Sequence, residues 1–277
     1  MINKRKSYRN KFELKNKVAV VTGGLGVLGR EFSAGLADFG AKVAIIDIDK
    51  DLVEKFADQL KKEFGVDCIG VCCDVSDLES VNKMVNTVEN KLGPIDILHN
   101  NAATKGKSLE DFLAPLEDYL LDTWREVMSV NLDGMFLVAR AVGLKMAKRG
   151  YGSIIQTSSI YGPTMGPDNS IYKDSYYMEM SINTPPVYPA SKGGVVALTN
   201  YFATYWAEKG VRVNTLTPGG VESGQNDTFL KRYSDRVPMK RMANRSEMVG
   251  ALIFLASDAS SYITGQNIFI DGGLSAW

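Results

Sequence analysis

The sequence predicts a single doubly wound α/β domain of about seven parallel strands with helices on both faces. Three observations carry this. Strand-type and helix-type hydrophobic patterns alternate along the first half of the chain. The connections between them are short, and no repeat, low-complexity tract or linker divides the 277 residues. The stretch VVTGGLGVLGRE at 20–31 packs four glycines into the first strand-to-helix junction.

The elements follow in order. The runs 17–22 (KVAVVT), 42–47 (KVAIID), 67–72 (DCIGVC) and 95–99 (IDILH) read as strands. Helical spacing fills 27–39, where Val27, Leu28, Phe32, Leu36 and Phe39 recur, and then 50–64 and 78–91. GSIIQTS at 152–158, VRVNTLT at 211–217 and NIFIDGG at 267–273 add three strands. Long helical patterns cover about 115–149 and 190–209, with a shorter one at 246–257.

Composition narrows the function classes. The 32 basic residues balance 32 acidic ones, so no general attraction to nucleic acid or membrane is expected. Basic residues are densest at the N-terminus (Lys4, Arg5, Lys6, Arg9, Lys11) with no apolar core behind them, unlike a signal peptide. Residues 1–11 read as a flexible basic leader and 12–277 as the domain. No stretch approaches the ~20 consecutive apolar residues of a membrane span, and a cytoplasmic location is expected. Cys68, Cys72 and Cys73 have no second cluster to complete a metal site, and they read as buried apolar residues of a reducing compartment. His99 is the only histidine and no G-x-S-x-G elbow accompanies it, which argues against a serine hydrolase.

The glycines admit competing readings. Gly24, Gly26 and Gly29 fit the G-x-G-x-x-G fingerprint of a Rossmann-type dinucleotide site. A triphosphate loop would need lysine and a hydroxyl where Arg30 and Glu31 stand, and a glutamate there would repel nucleotide. A tight turn serving packing alone is the plainer alternative. Asp47 tests it: the residue ends the second strand, 18 positions past Gly29, where an acidic side chain accepts the adenosine ribose hydroxyls. Its alternative is a cap for the helix near 50, a task Asp49 could also perform.

Further motifs stand in a recognisable order: FELKNKVAVVTGG at 12–24, CDV at 73–75, NNAA at 100–103, VNL at 130–132, TSSIYG at 157–162, YPASK at 188–192, TPGGVES at 217–223 and YITGQNIFIDGG at 262–273. On these, residues 12–274 resemble the short-chain dehydrogenases/reductases, in their single-domain branch. The resemblance implies a nicotinamide dinucleotide held by Gly23, Gly24, Gly26, Leu28 and Gly29, by Asp47, and by Asp74 and Val75 at the adenine. Asn101, Ala102, Pro218, Gly219 and Val221 complete the cofactor contacts, with Tyr188 and Lys192. It also implies catalysis by Ser159, Tyr188, Lys192 and Asn131, a small-molecule substrate, no metal, and a homo-oligomer, tetramer or dimer.

Physical reasoning meets that set. Tyr188 and Lys192 lie four apart and share one helix face. A phenol ordinarily titrates near pH ~10, and a neighbouring ammonium with the positive nicotinamide ring would favour its phenolate. Tyr188 then takes a proton from an alcohol as hydride leaves its carbon, or gives one to a ketone. Ser159, three before Gly162, is the serine that the resemblance selects to bond the substrate oxygen, with Ser158 the alternative. As in relatives, Asn131 would hold a water linking Lys192 to solvent.

The chain departs from the family pattern in places. Val27 replaces the middle glycine of the turn, with Gly26 one place early; Ala103 replaces a glycine and Gln156 an asparagine. Ser159 and Tyr188 are 29 residues apart, far more than in relatives. The inserted 163–186, PTMGPDNSIYKDSYYMEMSINTPP, reads as a lid over the substrate or as a subunit contact. Its polar aromatic character suits carbohydrate better than an acyl chain. The expected function is an NAD-dependent oxidoreductase interconverting a secondary alcohol and a ketone on a sugar, sugar acid or sugar derivative. A reductase of 3-oxoacyl or other small ketones, and a non-catalytic dinucleotide-binding regulator or scaffold, remain the alternatives. NAD is preferred to NADP because Ile48, not a cation, follows Asp47, although Arg30 and Lys42 could soften the preference.

Overall fold

Val18–Thr22 (β1) is buried at every position, as a parallel strand covered on both faces must be. In this computed structural model, which describes residues 7–177 and 179–277, the chain continues through α1 (Val27–Asp38), β2 (Lys42–Asp47), α2 (Lys50–Phe64), β3 (Cys68–Cys72), α3 (Leu78–Leu92) and β4 (Ile97–Asn100). Then come α4 (Leu109–Leu113), α5 (Leu121–Met128), α6 (Met135–Arg149), β5 (Gly152–Thr157), β6 (Tyr176–Tyr177), β7 (Met180–Ser181) and α7 (Val187–Trp206). The chain closes with β8 (Val211–Pro218), α8 (Asp227–Arg236), α9 (Val249–Ala256) and β9 (Asn267–Ile270). Residues 1–6 of the expected flexible leader lie outside the described residues, and Arg9–Phe12 form an exposed 3-10 turn.

Seven strands form one sheet in the order β3-β2-β1-β4-β5-β8-β9, every pair parallel. Alternate residues feed opposite faces. Val18, Val20, Ala44, Ile46, Leu98 and Ile154 pack with α3, α6 and α7. Ala19, Val21, Val43, Ile45, Ile97 and Ile155 pack with α1, α2 and α9. On the first face Gly143 of α6 makes room for Trp206, whose ring would meet any β-carbon there. Trp206 stacks on Phe202 at 4.8 Å.

The expected 115–149 helix is broken. After α4 and a 3-10 turn, Leu121–Arg149 run as one helix whose middle, Ser129–Gly134, is wound as π-helix. Among the described residues this run is long and apolar enough to cross a membrane by length and composition, an 18-residue stretch of it reaching mean hydropathy 1.4, contrary to the sequence expectation. Here it lies against β4, β5, α3 and α7 as a core helix. The second long helix begins at Val187 rather than 190. Neither α8 nor the two-residue antiparallel pair β6–β7 was expected.

Candidate active site

The strand order turns back between β1 and β4, so their carboxyl ends open a crevice. A cavity of about 730 Å³ fills it. Gly23 has φ +62°, and a β-carbon there would come within 2.8 Å of the Ala102 backbone. One on Gly24 would meet Ile45 at 2.5 Å, and one on Gly29 would strike the Gly23 carbonyl. These glycines let β1, β4 and α1 pack closely; Gly23 and Gly29 line the cavity, while Gly24 faces Ile45. Gly26 is less demanding, with only the Gly23 carbonyl at 3.2 Å; it starts α1 without a side-chain cap, leaving first-turn N–H groups for an anion. Pyrophosphate fits such a cradle. The Val27 departure puts an isopropyl group, 44% exposed, at its mouth.

Asp47 reaches back to this turn. Its carboxylate accepts from Leu25 N at 3.0 Å and Ile48 N at 2.9 Å. Asp49 caps α2 through Leu52 N, so Asp47 is released from capping. With lone pairs remaining, it lines the cavity as the ribose acceptor would. Arg30 is close by, its Nε on the Leu25 carbonyl at 3.0 Å and its guanidinium over Phe56. Lys42 is not: it opens β2, bonds the Leu92 carbonyl and pairs with Asp67 at the far end of the strand. Its expected reach toward the ribose is therefore corrected. Leu28, Asp74, Val75, Asn101 and Ala102 line the same cavity, and Thr22 Oγ1 fastens β4 to β1 by accepting from Asn101 N and Ala102 N.

A second cavity, about 270 Å³, brings Ser159, Tyr188 and Lys192 together with Pro218, Gly219 and Val221. The two serines separate cleanly. Ser158 Oγ is buried and donates to the Lys192 carbonyl at 2.7 Å, whereas Ser159 lines the cavity with Tyr188 and accepts from Tyr161 N at 3.3 Å. Lys192 is 3% exposed and donates to the Thr157 carbonyl at 3.1 Å; burial lowers its pKa to about 8. Burial pushes the Tyr188 phenol up, only partly offset by Ser159. The expected fall in that pKa is thus absent from the protein alone, because desolvation outweighs the neighbours. Asn131 is buried in the π turn and clamps Thr104, accepting from its N–H at 2.8 Å and donating to its carbonyl. π turns recur at functional sites.

A third cavity, about 540 Å³, opens in front of Tyr188. Tyr172, Ile182, Asn183 and Thr184 of the insert form one wall; Phe112, Ser223, Gln225 and Phe229 contribute others. The insert is fastened at several points. Arg236 pairs with Asp168, Arg232 with Asp174 at 3.6 Å, and Asn226 Nδ2 donates to the Tyr176 carbonyl. Asn183 Nδ2 donates across to the Ala114 carbonyl at 3.0 Å.

Known proteins give this arrangement its place. The short chain dehydrogenase family matches residues 17–176, and a family described as enoyl-(acyl carrier protein) reductase matches residues 170–275. The chain belongs to the short-chain dehydrogenase family. It is 34% identical over 270 residues to a D-threitol dehydrogenase of Mycolicibacterium smegmatis, covering 95% of this chain and 94% of that one. A gluconate 5-dehydrogenase from Burkholderia cenocepacia J2315, solved with NADP and tartrate, superimposes with TM-score 0.83 at 32% identity, covering 97% and 98% of the two chains. An NAD+-bound xylitol dehydrogenase gives TM-score 0.82 at 31% identity over 94% and 99%. A nicotinamide dinucleotide is thus the cofactor of this short-chain dehydrogenase.

Sequence reasoning singled out the insert but missed the walls that Phe112, Gln225 and Phe229 add to the third cavity. The cap Asn226, which accepts from Phe229 N, was the available signal for α8. Cys72 of the dehydrogenase corrects another expectation: it is exposed, its thiol on the Ile48 carbonyl at 3.3 Å, while Cys68 and Cys73 are buried. His99 is buried with Nε2 3.2 Å from Thr157 Oγ1 and its ring edge-on to Phe32; burial lowers its pKa to about 3. No group of three or more His, Cys, Asp or Glu among the described residues could hold a metal.

Proposed function

We propose that this short-chain dehydrogenase interconverts a secondary alcohol and a ketone on a polyol, sugar or sugar acid. The observation that carries the proposal is the place of Tyr188, which lines both the cavity it shares with Ser159 and Lys192 and the larger one in front, whose walls combine Asn183, Thr184 and Gln225 with Phe112, Ile182 and Phe229. The nicotinamide ring, when bound, supplies the hydride acceptor and a positive charge. Ser159 holds the substrate oxygen, and Tyr188 removes or returns its proton. Lys192, buried and fixed on Thr157, keeps positive charge beneath the site. Among the described residues lining the third cavity only Lys105 carries charge, which suits a polyol and also the carboxylate of a sugar acid. The threitol, gluconate and xylitol enzymes it resembles support that substrate class.

NAD is the proposed cofactor form. A 2′-phosphate would bring up to two charges beside Asp47, each unit pair costing roughly 4 kcal/mol at about 4 Å and an effective dielectric near 20 before screening. Even a third of that gives about a tenfold preference, and Arg30 beside Leu25 moderates it. Homo-oligomer formation belongs to the same proposal, supported by exposed Phe136 and Leu144 on α6 and Tyr201 and Tyr205 on α7.

The test is a panel of polyols, sugar acids, simple ketones and a 3-oxoacyl thioester, followed at the nicotinamide absorbance band. Turnover of a polyol or sugar acid is expected. Turnover confined to the thioester would replace this reading.

A further inference from the structure

The insert carries a chain of hydroxyls with one end in the substrate cavity. Thr184 Oγ1 donates to Tyr172 Oη at 2.7 Å, and Tyr172 Oη donates to Tyr161 Oη at 3.1 Å. Tyr172 is only 8% exposed, its ring stacked on Phe229 at 5.8 Å. Tyr161 N in turn donates to Ser159 Oγ at 3.3 Å. The hydroxyl chain therefore runs from the cavity wall to Tyr161, whose backbone in turn adjoins Ser159.

Hydrogen-bond capacity fixes what this wall can recognise. A threonine hydroxyl has one proton and two acceptor lone pairs. Thr184 shares one hydrogen bond with Tyr172, so its hydroxyl keeps further hydrogen-bonding capacity for the cavity it lines. Ile182 and Phe229 flank it there. An incoming O–H, which both gives and takes a hydrogen bond, uses that capacity, and a methylene does not.

We propose that Thr184, held by Tyr172, is a specificity-determining residue that receives a hydroxyl group of the substrate beyond the reacting carbon. This rests on the functional reading above and deepens it. The insert thus selects substrates bearing a second hydroxyl beyond the one that reacts.

The experiment compares xylitol, gluconate or another polyol or sugar acid of the panel, whichever wild type turns over fastest, with 2-pentanol, which has one secondary hydroxyl and no other. Thr184→Val keeps shape and removes the hydroxyl; Thr184→Ser keeps the hydroxyl. NADH affinity reports that each variant folds. Thr184→Val is expected to reduce the kcat/KM ratio of polyhydroxylated substrate to 2-pentanol about tenfold, mainly through KM, the size set by one lost hydrogen bond. Thr184→Ser should restore the ratio. An unchanged ratio in Thr184→Val, or a serine variant as impaired as the valine one, overturns the inference and leaves the reaction class standing. A folded wild type that turns over no polyol or sugar acid of the panel overturns both.

Discussion

The buried ammonium of Lys192 is anchored on the carbonyl of Thr157, 3.1 Å away at the last residue of β5. The bond joins α7 to the sheet at the point where the chemistry occurs. Burial brings the lysine pKa from its ordinary 10.5 to about 8. Between those values the unfolded chain holds a proton that the folded protein has released, so stability rises with pH across the window. The cost is fully present below pH 8, and the shift corresponds to about 3 kcal/mol. Relative to Lys192→Met, the wild type should gain about that much unfolding free energy between pH 8 and 10.5. Denaturant titrations of both proteins across that range check this, and parallel curves would refute it.

His99 predicts the acid limb. Its folded pKa of about 3 lies below the ordinary 6.5, so its contribution is present above pH 6.5 and is lost as pH falls toward 3. The shift corresponds to up to about 5 kcal/mol. His99→Leu should move the acid unfolding midpoint to lower pH, read by circular dichroism. A midpoint that stays in place means other groups govern acid unfolding.

Tyr188→Phe removes the proton-carrying oxygen and keeps the ring. Turnover should fall by at least the ~10²–10⁴-fold of a positioned acid–base group, with NADH affinity within a few-fold of wild type. Retention of more than about a tenth of the rate would take Tyr188 out of this role.

Asp47→Ala tests the cofactor preference. Paired NADH and NADPH titrations should show the wild type favouring NADH and the variant losing that preference by about tenfold, as removal of one opposed charge requires. Tighter NADPH binding by wild type would reverse the assignment.

How much of this was legible depended on whether the signal was local. Strands buried on both faces appear as unbroken apolar runs, which is why Val18–Val21 and Val43–Ile46 could be read directly. Tyr188 and Lys192 could be paired because helix spacing alone sets their shared face. Direction along a strand was the harder matter. Lys42 and Asp47 are near in sequence, but five residues of extended chain carry them about 16 Å apart, to opposite ends of the sheet. Cys72 lies on β3, an edge strand with one side open, and its apolar neighbours gave no hint of that. The π turn around Asn131 was hidden because a single extra residue per turn leaves no periodic trace in a mostly apolar segment. The α8 segment, Asp227–Arg236, is highly charged and buries only Phe229 and Tyr233, too weak a stripe to find.

The insert leaves the chain just beyond Ser159 and rejoins it at the first turn of α7, next to Tyr188. Both posts are held by the sheet and the long helix, and the span between them makes its fastenings largely to α8. The entropic penalty of a loop tied at both ends grows only with the logarithm of its length. A segment so placed can be lengthened, shortened or exchanged while the two posts keep their separation. If the insert selects substrate as proposed, selectivity and reaction chemistry are separable, and exchanging 163–186 together with α8 is expected to change substrate preference while the hydride and proton steps persist.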